Sequence, residues 1–139
     1  MRKRAKALLL GALASIVGCS GYFIAQYNPA IDSGATELQQ KVDRFLTELE
    51  QTSGEHEQYA ATYEELRADI RTLREVASQQ RGNELTLQSL DLIANNVDKL
   101  EAMHAEGISA EEIAIVRTLF DTQFRMLVQL ENGKKRKEQ

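Results

Sequence analysis

The chain has 139 residues, a formal net charge of −4, one proline and one cysteine. This length suits one domain with a core and is short for two, and a single cysteine excludes an internal disulfide. The composition is rich in Leu, Ala, Glu and Gln and lacks long Val, Ile and Thr runs between turns, which predicts an all-helical body. The acidic balance argues against a nucleic-acid partner, which needs a basic face.

The first 25 residues have the pattern of a targeting or membrane segment. Met1 to Lys6 carries four basic residues and no acid, and Ala7 to Ala25 follows without a charge. Basic residues beside an apolar segment stay on the cytoplasmic side of the membrane. The body of the chain is therefore expected on the opposite side, in the periplasm.

The apolar run contains four residues that resemble the lipobox of bacterial lipoprotein precursors: Ile16, Val17, Gly18 and Cys19. The resemblance implies cleavage between Gly18 and Cys19, with covalent lipid on the Cys19 sulfur and acylation of the new amino group. It also implies delivery to the outer membrane of a Gram-negative cell, because Ser20 stands where an Asp would favour the inner membrane. Several acyl chains hold a protein to a bilayer almost irreversibly.

An uncleaved, single-pass inner-membrane anchor is the alternative for this segment. Ala7 to Ala25 is 19 uncharged residues, enough to span a bilayer core of roughly 30 Å. Gly11, Gly18 and Gly21 make the run a mediocre helix, which favours the lipoprotein. Cleavage would remove four basic residues and leave 13 Lys and Arg against 21 Asp and Glu, a net charge of −8.

The predicted organisation has four parts: a signal peptide (1–18), a lipidated cysteine with a tether (19–35), a helical bundle (36–132) and a basic disordered tail (133–139). Pro29 and Gly34 are expected to break regular structure in the tether. Its apolar residues either lie at the membrane interface or dock on the bundle; they are Tyr22, Phe23, Ile24 and Tyr27. The tail could alternatively contact anionic lipid headgroups or an acidic partner.

The first predicted helix runs from Glu37 to Gln51, with Thr36 and Gln39 forming a capping box. A break at 52–54 separates it from the second, Glu55 to Gln80, although one bent rod is the alternative. The second helix carries an apolar residue at every third or fourth position: Tyr59, Tyr63, Leu66, Ile70, Leu73 and Ala77.

Gly82 is predicted to end the second helix in a left-handed conformation, with Asn83 capping the third helix over 84–105. Ser109 and Glu112 form the capping box of the fourth helix, which is predicted to stop at Asn132 and Gly133. The fourth helix has a broad apolar face and is expected to sit centrally. Four helices joined by short turns predict an antiparallel up-down bundle, with three helices and a long first one as the alternative.

The pair Glu101 and His104 has the Glu-x-x-His spacing of ferritin-like di-iron bundles, and these two are weak candidates for metal ligands. Such sites need a second motif, and His56 has Ser53 rather than Glu three residues before it. Haem ligation by His104 and Met126 would need both side chains to meet in the core. With two histidines and no nucleophile beside a base, the sequence predicts no catalytic residues, no metal and no cofactor besides the lipid.

The chain as a whole resembles small helical lipoproteins of Gram-negative bacteria. The predicted function is a membrane-tethered, non-enzymatic periplasmic module that presents an acidic helical surface to another envelope protein. The alternative is a bundle that holds a small apolar ligand, a metal or haem in its core.

Overall fold

A computed structural model describes residues 23–52 and 54–137 of the chain. Within them every regular element is helical and four long helices form a bundle, as the sequence predicted, so the three-helix alternative is wrong. A 3₁₀ turn, His56–Tyr59, precedes the second helix. The four helices are α1 (Pro29–Thr52), α2 (Ala60–Ser78), α3 (Glu84–Glu106) and α4 (Ala110–Lys137).

Neighbouring helices run antiparallel. Between α2 and α3, Arg74 pairs with Asp91 near one end and Tyr63 meets His104 near the other, so residue numbers fall on α2 as they rise on α3. The order is the same for α1 and α2, where Lys41 bonds Asp69. Packing of α1 against α4 closes the ring, so α4 has two neighbours like every other helix and is not central.

The core is apolar and draws on all four helices. Every member of the apolar series predicted for α2 is buried. Among residues 23–52 and 54–137, no helix has the length and hydropathy needed to cross a membrane. The predicted signal peptide, with Gly18 and Cys19, lies outside these residues.

The first helix begins at Pro29, eight residues earlier than predicted. Asn28 accepts a hydrogen bond at its side-chain oxygen from the Ala30 amide at 2.9 Å, which caps the helix. Pro29 then fits the first helical position, where its fixed φ is helical and no amide hydrogen is needed. Thr36 is inside the helix and donates to the Asp32 carbonyl, so the predicted capping box is wrong.

Gly34 does not break α1, because it is the place where α2 comes closest. A Cβ on Gly34 would stand 2.5 Å from Leu73 Cδ2. Any larger residue would have to displace this buried leucine, which is 6% exposed. Close packing of the two helices thus outweighs the poor helix propensity of glycine.

The fourth helix continues through Gly133 to Lys137, which corrects the predicted disordered tail over 133–137. Lys134 is buried, and its ammonium donates to Asn83 Oδ1, Thr86 Oγ1 and Glu131 Oε1. Thr86 also donates to Glu131 Oε1 at 3.0 Å. These bonds join the last turns of α4 to the start of α3, and a lysine ammonium with three acceptors is fully satisfied.

Gly82 and Gly107 have positive φ values of 85° and 95°. Gly107 directly follows α3, but α2 already ends at Ser78, so Gly82 lies in the α2–α3 turn and does not end the helix as predicted. Asn83 precedes α3 without a side-chain capping hydrogen bond, so its predicted capping role is wrong.

The predicted capping box of α4 is confirmed. The Ser109 hydroxyl accepts from the Glu112 amide at 3.2 Å, and the Ser109 amide donates to the Glu112 carboxylate at 2.8 Å. The Ser109 hydroxyl also donates to this carboxylate, and the bonds from the Ser109 amide and hydroxyl lower the pKa of Glu112.

The segment that precedes α1 contacts the bundle through Ala25 and Tyr27. The Ala25 amide donates to the Gly82 carbonyl at 3.1 Å. Tyr27 donates to Asp32 at 2.8 Å, and the Lys135 ammonium lies 5.2 Å from its ring centre. The chain therefore enters the bundle on the side where α2 ends and α3 begins.

Candidate functional site

The two ends of the bundle differ sharply in charge. We define the distal end as residues 48–64 and 100–116, and the basal end as residues 23–31, 78–88 and 128–137. The distal end contains nine Asp and Glu and no Lys or Arg, whereas the basal end contains five Lys and Arg and two Glu. The rest of the described chain is nearly balanced. The acidity of the protein is therefore concentrated at one end.

The distal end has a cleft of about 390 Å³ between the α1–α2 connection and the end of α3. Three exposed carboxylates, of Glu55, Glu57 and Glu106, lie on it, together with the rings of His56 and His104. The remaining lining residues are Leu49, Gly54, Ala105, Gly107 and Ile108. The cleft thus combines an anionic rim with imidazole and apolar surface.

His104 fixes one wall of the cleft through both ring nitrogens. Its Nε2 lies 2.8 Å from the Gly54 carbonyl oxygen, and its Nδ1 lies 3.0 Å from the Tyr63 hydroxyl. A carbonyl can only accept, so Nε2 carries the proton, and in the neutral ring Nδ1 accepts from Tyr63. The ring is 6% exposed. His104 therefore ties the α1–α2 connection to α2 and α3.

The second histidine of the cleft, His56, contacts Glu101: its Nε2 lies 3.1 Å from Glu101 Oε1. Arg67 of α2 donates to the other oxygen of Glu101 and to Asp98, and it also pairs with Glu64 on its own helix. The hydrogen bond from Arg67 is the main cause that lowers the pKa of Glu101, and the bond to His56 adds to it. The guanidinium thus joins α2 to α3 beside the cleft.

The aromatic side chains behind the cleft are buried. Tyr63 packs edge-on against Phe45, with ring centres 5.1 Å apart, and burial raises the pKa of its phenol. The Tyr59 hydroxyl lies 2.8 Å from the Thr52 hydroxyl. Tyr59 and Tyr63 are therefore parts of the core, and their rings offer no exposed surface on which a ligand could stack.

At Gly54 the backbone passes close to the Tyr59 ring, and this approach shapes the cleft. A Cβ on this residue would stand 2.4 Å from Tyr59 Cε2 and 2.8 Å from its hydroxyl oxygen. The absence of a side chain lets the Gly54 carbonyl reach His104 while Tyr59 stays in the core. Glycine is thus required here by space.

The structure does not assemble a metal centre from the candidates. The Glu101 carboxylate is hydrogen-bonded to Arg67 and His56, and both ring nitrogens of His104 already have hydrogen-bond partners. Among residues 23–52 and 54–137, no three or more His, Cys, Asp and Glu side chains are grouped to hold a metal ion. Met126 is 54% exposed on α4, so it does not face the core in which His104 would have to meet it.

Sequence reasoning missed the partners that define this site. It identified Glu101 and His104 by their spacing on one helix, but their contacts are to His56, Tyr63, Arg67 and Gly54, which lie 34 to 50 residues away. No local pattern marks such pairs. The concentration of Glu over 48–64 and 100–116 was visible and would have indicated an acidic end once the helices were known to be antiparallel.

No model of a known protein family, no curated protein and no solved structure matches this chain.

Proposed function

We propose that this protein is a lipid-anchored, non-enzymatic module of the Gram-negative envelope, and that its acidic distal end binds a basic region of another envelope protein. The observation that carries the proposal is the segregation of charge, with nine carboxylates and no Lys or Arg at the distal end. Such a field attracts a cationic partner and speeds its association.

Most of the distal carboxylates are available for a partner. Glu64 and Glu101 pair with Arg67, and Glu50 pairs with Arg117. In contrast, Glu48, Glu55, Glu57, Glu106 and Glu111 are exposed and make no ion pair in the described part of the chain. Exposed charges of one sign support steering and specificity more than raw affinity.

The cleft gives this acidic surface a preformed pocket. Its walls are held by hydrogen bonds between His104 and two different elements, so its form does not depend on the partner. Preformed pockets of a few hundred Å³ are typical of binding sites, and a rigid one costs less ordering on binding. A lysine or arginine side chain of the partner, entering between Glu55 and Glu106, suits the chemistry of the rim.

The anchoring part of the proposal rests on the sequence. The basic start, the uncharged run and the residues Ile16 to Cys19 favour lipidation at Cys19 and a location on the periplasmic face of the outer membrane. The basal end, where the chain enters the bundle, would then face the lipid. The distal end would face away from it.

The partner surface is tested by charge reversal in the full-length protein. The variant Glu55→Lys/Glu57→Lys/Glu106→Lys changes the rim, and Glu37→Lys/Glu65→Lys/Glu75→Lys makes the same charge change on the sides. Both sets are exposed. We expect proteins captured from solubilised envelopes by wild type to be retained by the side variant and lost with the rim variant and at high salt. Equal capture by both variants would contradict the proposal.

The anchor is tested by mass analysis of the N-terminal peptide from membrane-purified protein, with Cys19→Ser as the control. We expect the peptide to begin at Cys19 and to carry the mass of acyl chains. A peptide that retains Met1 to Gly18 and an unmodified Cys19 would replace the lipoprotein with the single-pass anchor.

A further inference from the structure

The basal end carries an exposed apolar patch. Phe23, Ile24 and Leu85 are 76%, 48% and 62% exposed. They are adjacent in space, because Ile24 and Leu85 line two grooves of about 230 and 500 Å³, and Phe23 lines the larger one with them. Single exposed apolar residues are ordinary, but a contiguous group marks an interaction surface.

This patch is built into the fold. The Ala25 amide donates to the Gly82 carbonyl, and the Arg81 guanidinium lies 5.9 Å from the centre of the Phe23 ring. Gly82 has φ 85°, and a Cβ there would lie 2.1 Å from the Phe23 carbonyl oxygen. The α2–α3 turn therefore holds the apolar residues of the entering segment in one place on the surface.

Cationic side chains surround the patch. Arg81, Lys135, Arg136 and Lys137 are exposed, and Lys137 lines the smaller groove together with Ile24 and Leu85. An apolar centre with a Lys and Arg border is the composition of surfaces that bind anionic membranes. Among the described residues of the basal end, the one exposed carboxylate is that of Glu84. The patch is therefore complementary to a negatively charged surface, in contrast to the acidic distal end.

The length of chain before the bundle limits what can cover the patch. Three residues lie between Cys19 and Phe23, so four Cα–Cα steps separate the two, a span of at most about 14 Å when fully extended. If Cys19 carries lipid, as proposed above, the patch cannot move farther than this from the bilayer surface. A membrane is thus the partner that is always within reach.

We propose that the basal patch rests directly on the bilayer, with Phe23, Ile24 and Leu85 in the interfacial layer and Arg81 and Lys137 at anionic phosphate groups. This inference rests on the proposed anchoring at Cys19 and adds a direct contact between named side chains and the lipid. The helices stand on the membrane, and the acidic distal end is held away from it by the length of the bundle, about 35 Å for the 23 residues of α3.

The absence of tryptophan from the chain makes a depth measurement possible. The variant Leu85→Trp places a single reporter in the patch, and Ile115→Trp places one at the distal end, where Ile115 is 70% exposed. Each lipidated full-length variant is reconstituted in vesicles of phosphatidylethanolamine and phosphatidylglycerol with brominated acyl chains. We expect several-fold stronger quenching in Leu85→Trp than in Ile115→Trp.

The charged border is tested in the Leu85→Trp background. Arg81→Glu/Lys137→Glu should weaken the quenching, whereas Arg44→Glu/Arg71→Glu, which changes two exposed residues on the sides of the bundle, should not. All of these positions are exposed, so the fold should survive, and circular dichroism checks it. The same loss from both pairs would overturn the role assigned to the border.

The outcomes separate this inference from the anchoring on which it rests. If vesicles float with the protein but both reporters are quenched equally or not at all, the basal contact is overturned and the anchor stands. If the protein does not float with the vesicles, the anchor fails. A Leu85→Trp reporter that is shielded from lipid while sedimentation shows a dimer would assign the patch to a second copy of the chain and overturn the membrane contact.

Discussion

The two ends of the bundle are held together by side chains of different chemistry. At each end a buried polar side chain joins elements that are far apart in sequence. At the distal end this is His104, which links the Gly54 carbonyl to the Tyr63 hydroxyl, and at the basal end it is Lys134, which links Glu131 to Asn83 and Thr86.

The difference lies in the charge that is buried. The neutral form of His104 satisfies its two partners without a formal charge, whereas Lys134 and Glu131 form an ion pair in which Glu131 is fully buried. Burying an ion pair is costly, and removing one partner leaves the other charge without compensation. Removing Lys134 should therefore cost more stability than removing a hydrogen-bond partner of His104, and four predictions compare the two ends.

The largest effect is expected for Lys134→Ala. The variant leaves the Glu131 carboxylate buried and unpaired, which should lower the free energy of unfolding by about 3–5 kcal/mol. Urea denaturation followed by circular dichroism measures this loss, with the exposed Arg136→Ala as the control. The double variant Glu131→Leu/Lys134→Met should recover most of the stability. A loss as small as that of the control would mean that the last turns of α4 contribute little.

Two glycine substitutions should act in opposite directions at the two ends. Gly54→Ala places a methyl group against the Tyr59 ring and should destabilise the protein by about 1–3 kcal/mol. Gly133→Ala adds a methyl group inside α4 with nothing within 4 Å and should stabilise by about 0.5–1 kcal/mol. Shifts of the same sign in thermal unfolding would argue against the tight approach at Gly54.

Loss of a hydroxyl tests the His104 network. Tyr63→Phe removes the donor to Nδ1, and since Nε2 must donate to the Gly54 carbonyl, Nδ1 is left without a partner. The expected cost is about 1–2 kcal/mol. Tyr59→Phe is the matched control, because its partner Thr52 is exposed and can bond water instead. Equal losses in urea denaturation would refute the special position of Tyr63.

The smallest effect is the acid sensitivity of the distal end. The pKa of Glu101 is held below its ordinary value of 4.5, so its ionised form stabilises the native state above that pH. This contribution is lost as the pH falls through the lowered pKa of the folded state. The free energy of unfolding, measured by denaturation at a series of decreasing pH values, should fall less for Glu101→Gln than for wild type. The lowered pKa of Glu112 should leave part of the dependence in that variant.

Local sequence patterns predicted much of the fold. The spacing of apolar residues predicted the buried face of α2, and the Ser109 and Glu112 capping box predicted the start of α4. The start of α1 was also encoded locally, since Asn28 followed by Pro29 is a helix-start signal, but Gly34 suggested a break. Gly34 is compatible with the helix because of Leu73, a residue on a different helix.

Local sequence patterns predicted less of the candidate sites than of the fold. The acidic and basic residues could be counted, but their separation into two ends exists only because the helices are antiparallel. The pairing of Glu101 with His56 and Arg67, which removes it as a metal ligand, joins residues on different helices. The helical course of residues 133–137 depends on the buried acceptors that Lys134 finds on α3.

The sequence alone therefore determined that the body consists of four helices, which face of α2 is apolar, and a charged and apolar start that predicts an anchored protein. These properties depend on residues within a few turns of one another. The tertiary structure decided that the carboxylates gather around a cleft at one end, and that Phe23, Ile24 and Leu85 meet among cations at the other. They follow from packing between distant segments, because burial and hydrogen bonding of groups such as His104 and Lys134 need partners from another helix.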